Sequence, residues 1–135
     1  MPVPYLACMA ATAVFYSLPP RVLPAIQAVE GGRVGMVHRN TDGSDDLGLM
    51  QVNTRWVPVL AAVTREPAAA IRVRLIEDPC FNIAAAGAIL RTYLNEAQGD
   101  LELAVGFYHS HTPTLRQAYL ERVMRSARAM FERVR

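Results

Sequence analysis

Residues 20–30 read Pro20-Arg-Val-Leu-Pro-Ala-Ile-Gln-Ala-Val-Glu30, and residues 39–53 read Arg39-Asn-Thr-Asp-Gly-Ser-Asp-Asp-Leu-Gly-Leu-Met-Gln-Val-Asn53. In the first stretch Val22, Ile26 and Val29 fall at helical spacing, and Gly31-Gly32 stops the run. Glu30 therefore closes an apolar helix, where partial exclusion of water favours the protonated acid. Asp46 stands sixteen residues later, in a segment rich in Gly, Ser and Asp that keeps it hydrated. Two carboxyl groups in unlike surroundings can divide acid and stabiliser roles, as cleavage of a glycosidic bond requires.

Working outward, residues 7–16 read as a short apolar helix that ends before Pro19-Pro20. The second helix starts near Pro20, with Pro24 in or just past its first turn. Residues 33–47 read as turns with a small hairpin, and residues 49–60 hold a further short helix around Trp56. Residues 61–77 carry no clear period. Asp78 caps and Pro79 opens a long Ala-rich helix to about Glu96, ended by Gln98-Gly99. Asp100 caps a short helix through Tyr108. Thr112-Pro113 begin the last, with Leu115, Tyr119, Val123, Ala127, Phe131 and Val134 on one stripe. Six or seven helices and one small β-hairpin region make an α+β chain that is mostly α.

At 135 residues and 52% apolar composition the chain is one domain, residues 1–135, with room for a real core. No apolar run approaches the roughly 18 residues of a membrane span. All fourteen basic residues are arginine. Residues 1–111 hold eight Arg and ten acids, whereas residues 112–135 hold six Arg and two acids. The Arg-rich helix, 113–135, reads first as a solvated face packed on the domain, and second as a surface for an anionic polymer or a partner. Of the two cysteines, Cys8 and Cys80, spacing alone allows either separate buried thiols or a bridge. Met-Pro-Val-Pro-Tyr5 lacks the pattern of a signal peptide, and we read it as a mature start with an added Met1.

Cys8-Met-Ala-Ala, Ala28-Val-Glu-Gly-Gly32, Gly48-Leu-Met-Gln51, Asp78-Pro-Cys-Phe-Asn-Ile83 and Ala104-Val-Gly-Phe-Tyr108 occur in this order. Together they resemble the bacterial soluble lytic transglycosylases, especially the small members that accompany secretion systems and pili. Residues 39–56 also resemble the substrate-cleft hairpin of egg-white-type lysozymes. The resemblance implies a lysozyme-like fold and cleavage of the β-1,4 bond between N-acetylmuramic acid and N-acetylglucosamine in peptidoglycan. It further implies a Cys8–Cys80 disulfide, hence an oxidising compartment, the periplasm. Expected partners are the glycan strands and components of a secretion apparatus or pilus; no nucleic acid, cofactor or metal is expected.

The resemblance assigns Glu30 as general acid, and Gly48, Leu49, Met50 and Gln51 as the segment lining the saccharide cleft. Met50 would lie on a sugar face and Gln51 would bond its polar groups. Asn53 would bond substrate or, somewhat ahead of that, brace the hairpin. Trp56 is left outside the site, as core or cleft in equal measure. Tyr108 would point its hydroxyl at the acid and the sugar. Asp46 occupies the place of the lysozyme carboxylate, and is either catalytic or a turn-stabilising residue. Asp42 and Asp45 read as turn residues, and His38 as a loop residue without a role. Three departures from the family pattern stand out. Gly31 replaces a serine that orients the acid, and His109 and His111 replace Asn and Gly after Tyr108. They leave open a peptidoglycan-binding protein of weakened activity, while Asp46 keeps open a lysozyme-type hydrolase that uses it with Glu30. Two histidines without a third ligand make no zinc site.

Overall fold

A computed structural model describes residues 3–131. The elements, in chain order, are α1 (Leu6–Phe15), α2 (Val22–Glu30), β1 (Val37–Arg39), β2 (Asp45–Leu47) and β3 (Val52–Asn53). A 3-10 turn (Thr54–Trp56) follows, then α3 (Val57–Thr64), α4 (Ala68–Glu77), α5 (Pro79–Glu96), α6 (Leu101–His109) and α7 (Pro113–Phe131). This is the mostly helical α+β architecture expected, with seven α-helices among the described residues.

The boundaries follow local chemistry. The Asp78 carboxylate accepts from the Phe81 amide at 3.0 Å with Pro79 in the first turn, and Asp100 accepts from the Leu103 amide at 3.1 Å. Gly31 ends α2 in the left-handed region, at φ 67°. The uncertain segment 61–77 contains the end of α3 and all of α4. Its periodicity is hidden because α4 buries only Ile71 and Leu75 among its ten residues.

α5 is the central helix, with Ile83, Ala86 and Leu90 fully buried. α1, α4 and α6 pack on it, while α7 packs across α2 and α6. Tyr119 and Val123 of the α7 stripe are buried as expected. Leu115 is not: it is 52% exposed, while its neighbour Arg116 in the same turn is the residue that packs against Gly106 of α6. Val134 lies outside the described residues. Cys8 and Cys80 form a disulfide between the first turns of α1 and α5, with Cα atoms 5.5 Å apart.

The sheet has the order β1-β2-β3, both pairs antiparallel, with Asp46 opposite His38 on one side and Asn53 on the other. Asp45 corrects the turn reading. It lies on β2 with its side chain buried, bonded to the Arg39 and Arg72 guanidiniums, which hold its carboxyl below the usual carboxylate range. Asp42 does form the turn, accepting from the Ser44 amide at 2.9 Å.

Candidate active site

A cleft of about 310 Å³ opens between the sheet and the helical body. Glu30 reaches it from the last residue of α2, Asp46 from β2, Asn53 from β3, and Tyr108 and His109 from the last turn of α6. Gln51 lines it from the turn between β2 and β3. The fold thus gathers five of the eight candidates, Glu30, Asp46, Gln51, Asn53 and Tyr108, from α2, β2, the turn after it, β3 and α6.

Burial raises the Glu30 carboxyl above its ordinary pKa, the negative charge of Asp46 pushing the same way. A hydrogen bond from the Tyr119 hydroxyl, 2.8 Å from Oε2, and the nearby Arg122 charge oppose the rise. The balance leaves an acid that holds its proton above the normal carboxylate range, as proton donation to a leaving oxygen requires. Tyr119 itself is packed by two side chains. The His109 ring stacks on it at 4.8 Å and 8°, and the Arg122 guanidinium sits 5.6 Å from its centroid. Burial also lowers the pKa of His109, followed by the effect of Arg122.

Tyr119 was read from sequence only as part of an apolar stripe. The signal that it does more is a hydroxyl on a residue whose ring is fully buried, since such a group needs a partner. Tyr108, expected to aim at the acid, instead donates to the Met50 carbonyl at 3.3 Å. Its partly buried phenol has a pKa pushed well up by desolvation, with the Glu30 charge adding to the effect.

Gly48, Leu49 and Met50 do not line the cleft. Leu49 and Met50 turn their side chains into the core, Met50 with no exposed surface, so no sugar face is available to it. Gly48 is required by the protein's own packing: its φ is 69°, and a Cβ there would strike the Leu75 carbonyl and the Asn82 amide. The turn they form is held by Asn82, fully buried on α5. Its Oδ1 accepts from the Met50 amide, and its Nδ2 donates to the Leu47 and Leu75 carbonyls, all at 2.8 Å. Asn82 received no role from sequence, although a polar residue one step before Ile83 on a buried helix face was a detectable anomaly.

Gln51 closes the turn in the left-handed region, at φ 54°, with its side chain bonded to the Gly48 carbonyl at 2.9 Å. Asn53 braces the hairpin: Nδ2 donates to Asp46 Oδ1 and Ser44 Oγ, both at 2.9 Å, and Oδ1 accepts from the Arg55 amide. Trp56, left outside the site, lines the cleft together with Arg55 and Asn40. Strand β1 places His38 with Nδ1 4.0 Å from Asp46 Oδ2. His111 stacks on Phe107 and meets Glu96 at 2.7 Å, away from the cleft. Among the described residues, no three His, Cys, Asp or Glu side chains gather as a metal site.

The family model described as the transglycosylase SLT domain matches residues 7–130, nearly the whole chain and every element of this cleft. The chain belongs to that family. It is therefore an enzyme, a peptidoglycan lytic transglycosylase. No curated protein matches the chain. No helix among the described residues is long and apolar enough to cross a membrane.

Proposed function

We propose that this transglycosylase cleaves the β-1,4 bond between N-acetylmuramic acid and N-acetylglucosamine and leaves 1,6-anhydromuramic ends, with Glu30 as acid and then base. The observation that carries the reading is the Glu30 carboxyl, half-buried at the cleft wall and tethered by Tyr119. Glu30 gives its proton to the leaving O4 of N-acetylglucosamine as the C1–O4 bond breaks. The substrate's own N-acetyl oxygen stabilises C1. The Glu30 carboxylate then takes the proton of the muramic 6-hydroxyl while O6 bonds to C1, so no water is consumed. Gln51, Asn53 and Tyr108 frame the sugar, and Trp56 offers it an aromatic face. In Gly31, which follows Glu30, the chain lacks the orienting serine hydroxyl. The bond from Tyr119 supplies that orientation in its place.

A second reading, hydrolysis by a lysozyme-type mechanism, is favoured by one observation: Asp46 lines the same cleft and acts electrostatically on Glu30. Its Oδ1 is engaged by Asn53, which fits a bracing role better. The disulfide supports action in the periplasm, and local opening of the wall for a secretion apparatus or pilus is the role we assign there. Mass spectrometry of fragments released from purified sacculi tests the chemistry, with Glu30→Gln alongside. Anhydro ends lost in the variant are the expected result. Reducing ends would install Asp46 in a hydrolytic mechanism, and sacculus binding without release would make the protein a binder.

A further inference from the structure

His109 is the last residue of α6 and lines the cleft. Its ring lies flat against the Tyr119 ring, with 4.8 Å between centroids and 8° between planes. Among the described residues no hydrogen bond from the protein engages the His109 ring nitrogens. The contact is therefore made by the face of the ring. At the tip of the neighbouring ring, the Tyr119 hydroxyl donates to Glu30 Oε2 at 2.8 Å. A tyrosine side chain turns about two bonds, so a hydroxyl keeps its aim only where packing restricts both rotations.

The turn between α6 and α7 fixes how the two rings meet. His111 stacks on Phe107 at 4.1 Å and 17° and meets Glu96 at 2.7 Å, and the Thr112 amide donates to Ser110 Oγ at 3.0 Å. Gly106 lets the helices approach, since a Cβ there would come within 2.2 Å of the Arg116 side chain. The charged and titratable groups facing the ring pair are Glu30 on α2, Asp46 on β2, Tyr108 on α6 and Arg122 on α7. Desolvation first, and then the Arg122 charge, hold the His109 pKa below the ordinary histidine value, with Asp46 opposing, so the ring is uncharged near pH 7. A cation in this place would favour the Glu30 carboxylate and strip the acid of its proton.

We propose that His109 is a positioning residue for the acid: its flat, uncharged ring holds Tyr119 so that the hydroxyl stays on Glu30. It acts through its face and not through its nitrogens. The histidine that departs from the family pattern after Tyr108 thus supports the acid and is not a mark of lost activity. This inference rests on the reading of Glu30 as the acid of glycan cleavage.

The test follows kcat and KM against pH on purified glycan strands. His109→Phe keeps a flat, neutral ring and His109→Asn does not; His109→Asn is also combined with Tyr119→Phe. Position 109 is exposed, so the fold should tolerate both residues, and a thermal melt checks this. His109→Asn should lower kcat by about 3- to 10-fold, the worth of an aromatic pair. KM should stay within about 2-fold, because ground-state binding is not what is lost. The basic limb of the profile should move upward, as it does when the Tyr119 bond is removed. His109→Phe should recover most of the rate and bring the limb back. Beside Tyr119→Phe, His109→Asn should add nothing, since both act on one bond.

Equal losses in the Phe and Asn variants with a raised KM overturn the proposal, because the ring nitrogens would then be substrate contacts. An unmoved limb in His109→Asn overturns it too, as does full additivity with Tyr119→Phe. If the wild type releases nothing from glycan, the reading of the acid fails, and an NMR titration of the Glu30 carboxyl carbon decides the positioning role separately. A Glu30 pKa raised in His109→Asn, and not in His109→Phe, upholds the role; the same pKa in all three proteins overturns it.

Discussion

Replacing Asn82 by Leu removes one buried side chain of similar size and three hydrogen bonds at once. Each lost partner leaves a different backbone group exposed to the interior: the Met50 amide and the Leu47 and Leu75 carbonyls. The Leu75 carbonyl is the most dependent of the three. In a continuing helix it would accept from the amide of residue 79, but that residue is proline and has no N–H. An unsatisfied buried backbone group costs roughly 1–3 kcal/mol, so three cost about 3–9 kcal/mol. The apolar surface that Leu gains returns about 2 kcal/mol. Discounting for relaxation of the turn leaves a net loss of about 3 kcal/mol, or a fall in Tm of about 10 °C for a domain of this size. Urea unfolding followed by circular dichroism, with the disulfide intact, measures it directly. Asn82→Asp is the companion variant. It keeps an acceptor for Met50 but faces two carbonyl oxygens with a carboxylate, and should be at least as unstable. Well below its melting point, Asn82→Leu should also lose turnover, because the turn it releases carries Gln51 into the cleft. Stability within about 1 kcal/mol of wild type would refute the view that Asn82 holds this turn.

Tyr119→Phe removes the hydrogen bond that favours the Glu30 carboxylate, so the acid should hold its proton to higher pH. The basic limb of the kcat/KM profile should move upward, with a drop in maximal rate; an unmoved limb would show that the tyrosine does not govern the acid. Glu30→Gln should abolish turnover yet stabilise the fold. Burial raises the folded-state pKa above the unfolded value near 4.5, so the native state binds the proton more tightly and loses stability as pH rises through the folded pKa. The variant's Tm should therefore exceed wild type at pH 7 and match it near pH 4, and a uniform offset at both would refute the assignment. Cys8→Ser/Cys80→Ser opens a crosslink between residues 72 apart and should cost about 4 kcal/mol in the chain-entropy model, read by urea unfolding against the wild type.

Much of this protein is written locally. The ends of α2, α5 and α6 follow from Gly31, Asp78-Pro79 and Asp100, because caps and stops act within one turn of the chain. Glu30 and Asp46 are legible as chemically distinct carboxyls for the same reason: a helix end and a polar turn are local environments. The α3–α4 region was not legible, since helices that bury only a narrow face leave a weak period.

The roles within the site belong to the tertiary structure. Met50 and Gln51 are neighbours in a single motif, yet one faces the core and the other the cleft, because the turn is fixed by Asn82 from 32 residues away. Tyr108 and Tyr119 are both tyrosines near a helix end or on a helix face, and nothing in their neighbours says which one meets Glu30. That depends on the crossing of α7 over α2, which brings residues 89 apart to 2.8 Å. Sequence by itself determined the capped helices α2, α5 and α6 and the two carboxyls, whose causes lie within a few residues. Which polar groups complete the acid, and which residues face the substrate, was decided only by packing between distant segments, where a buried hydroxyl or carboxamide must find whatever partner the fold presents.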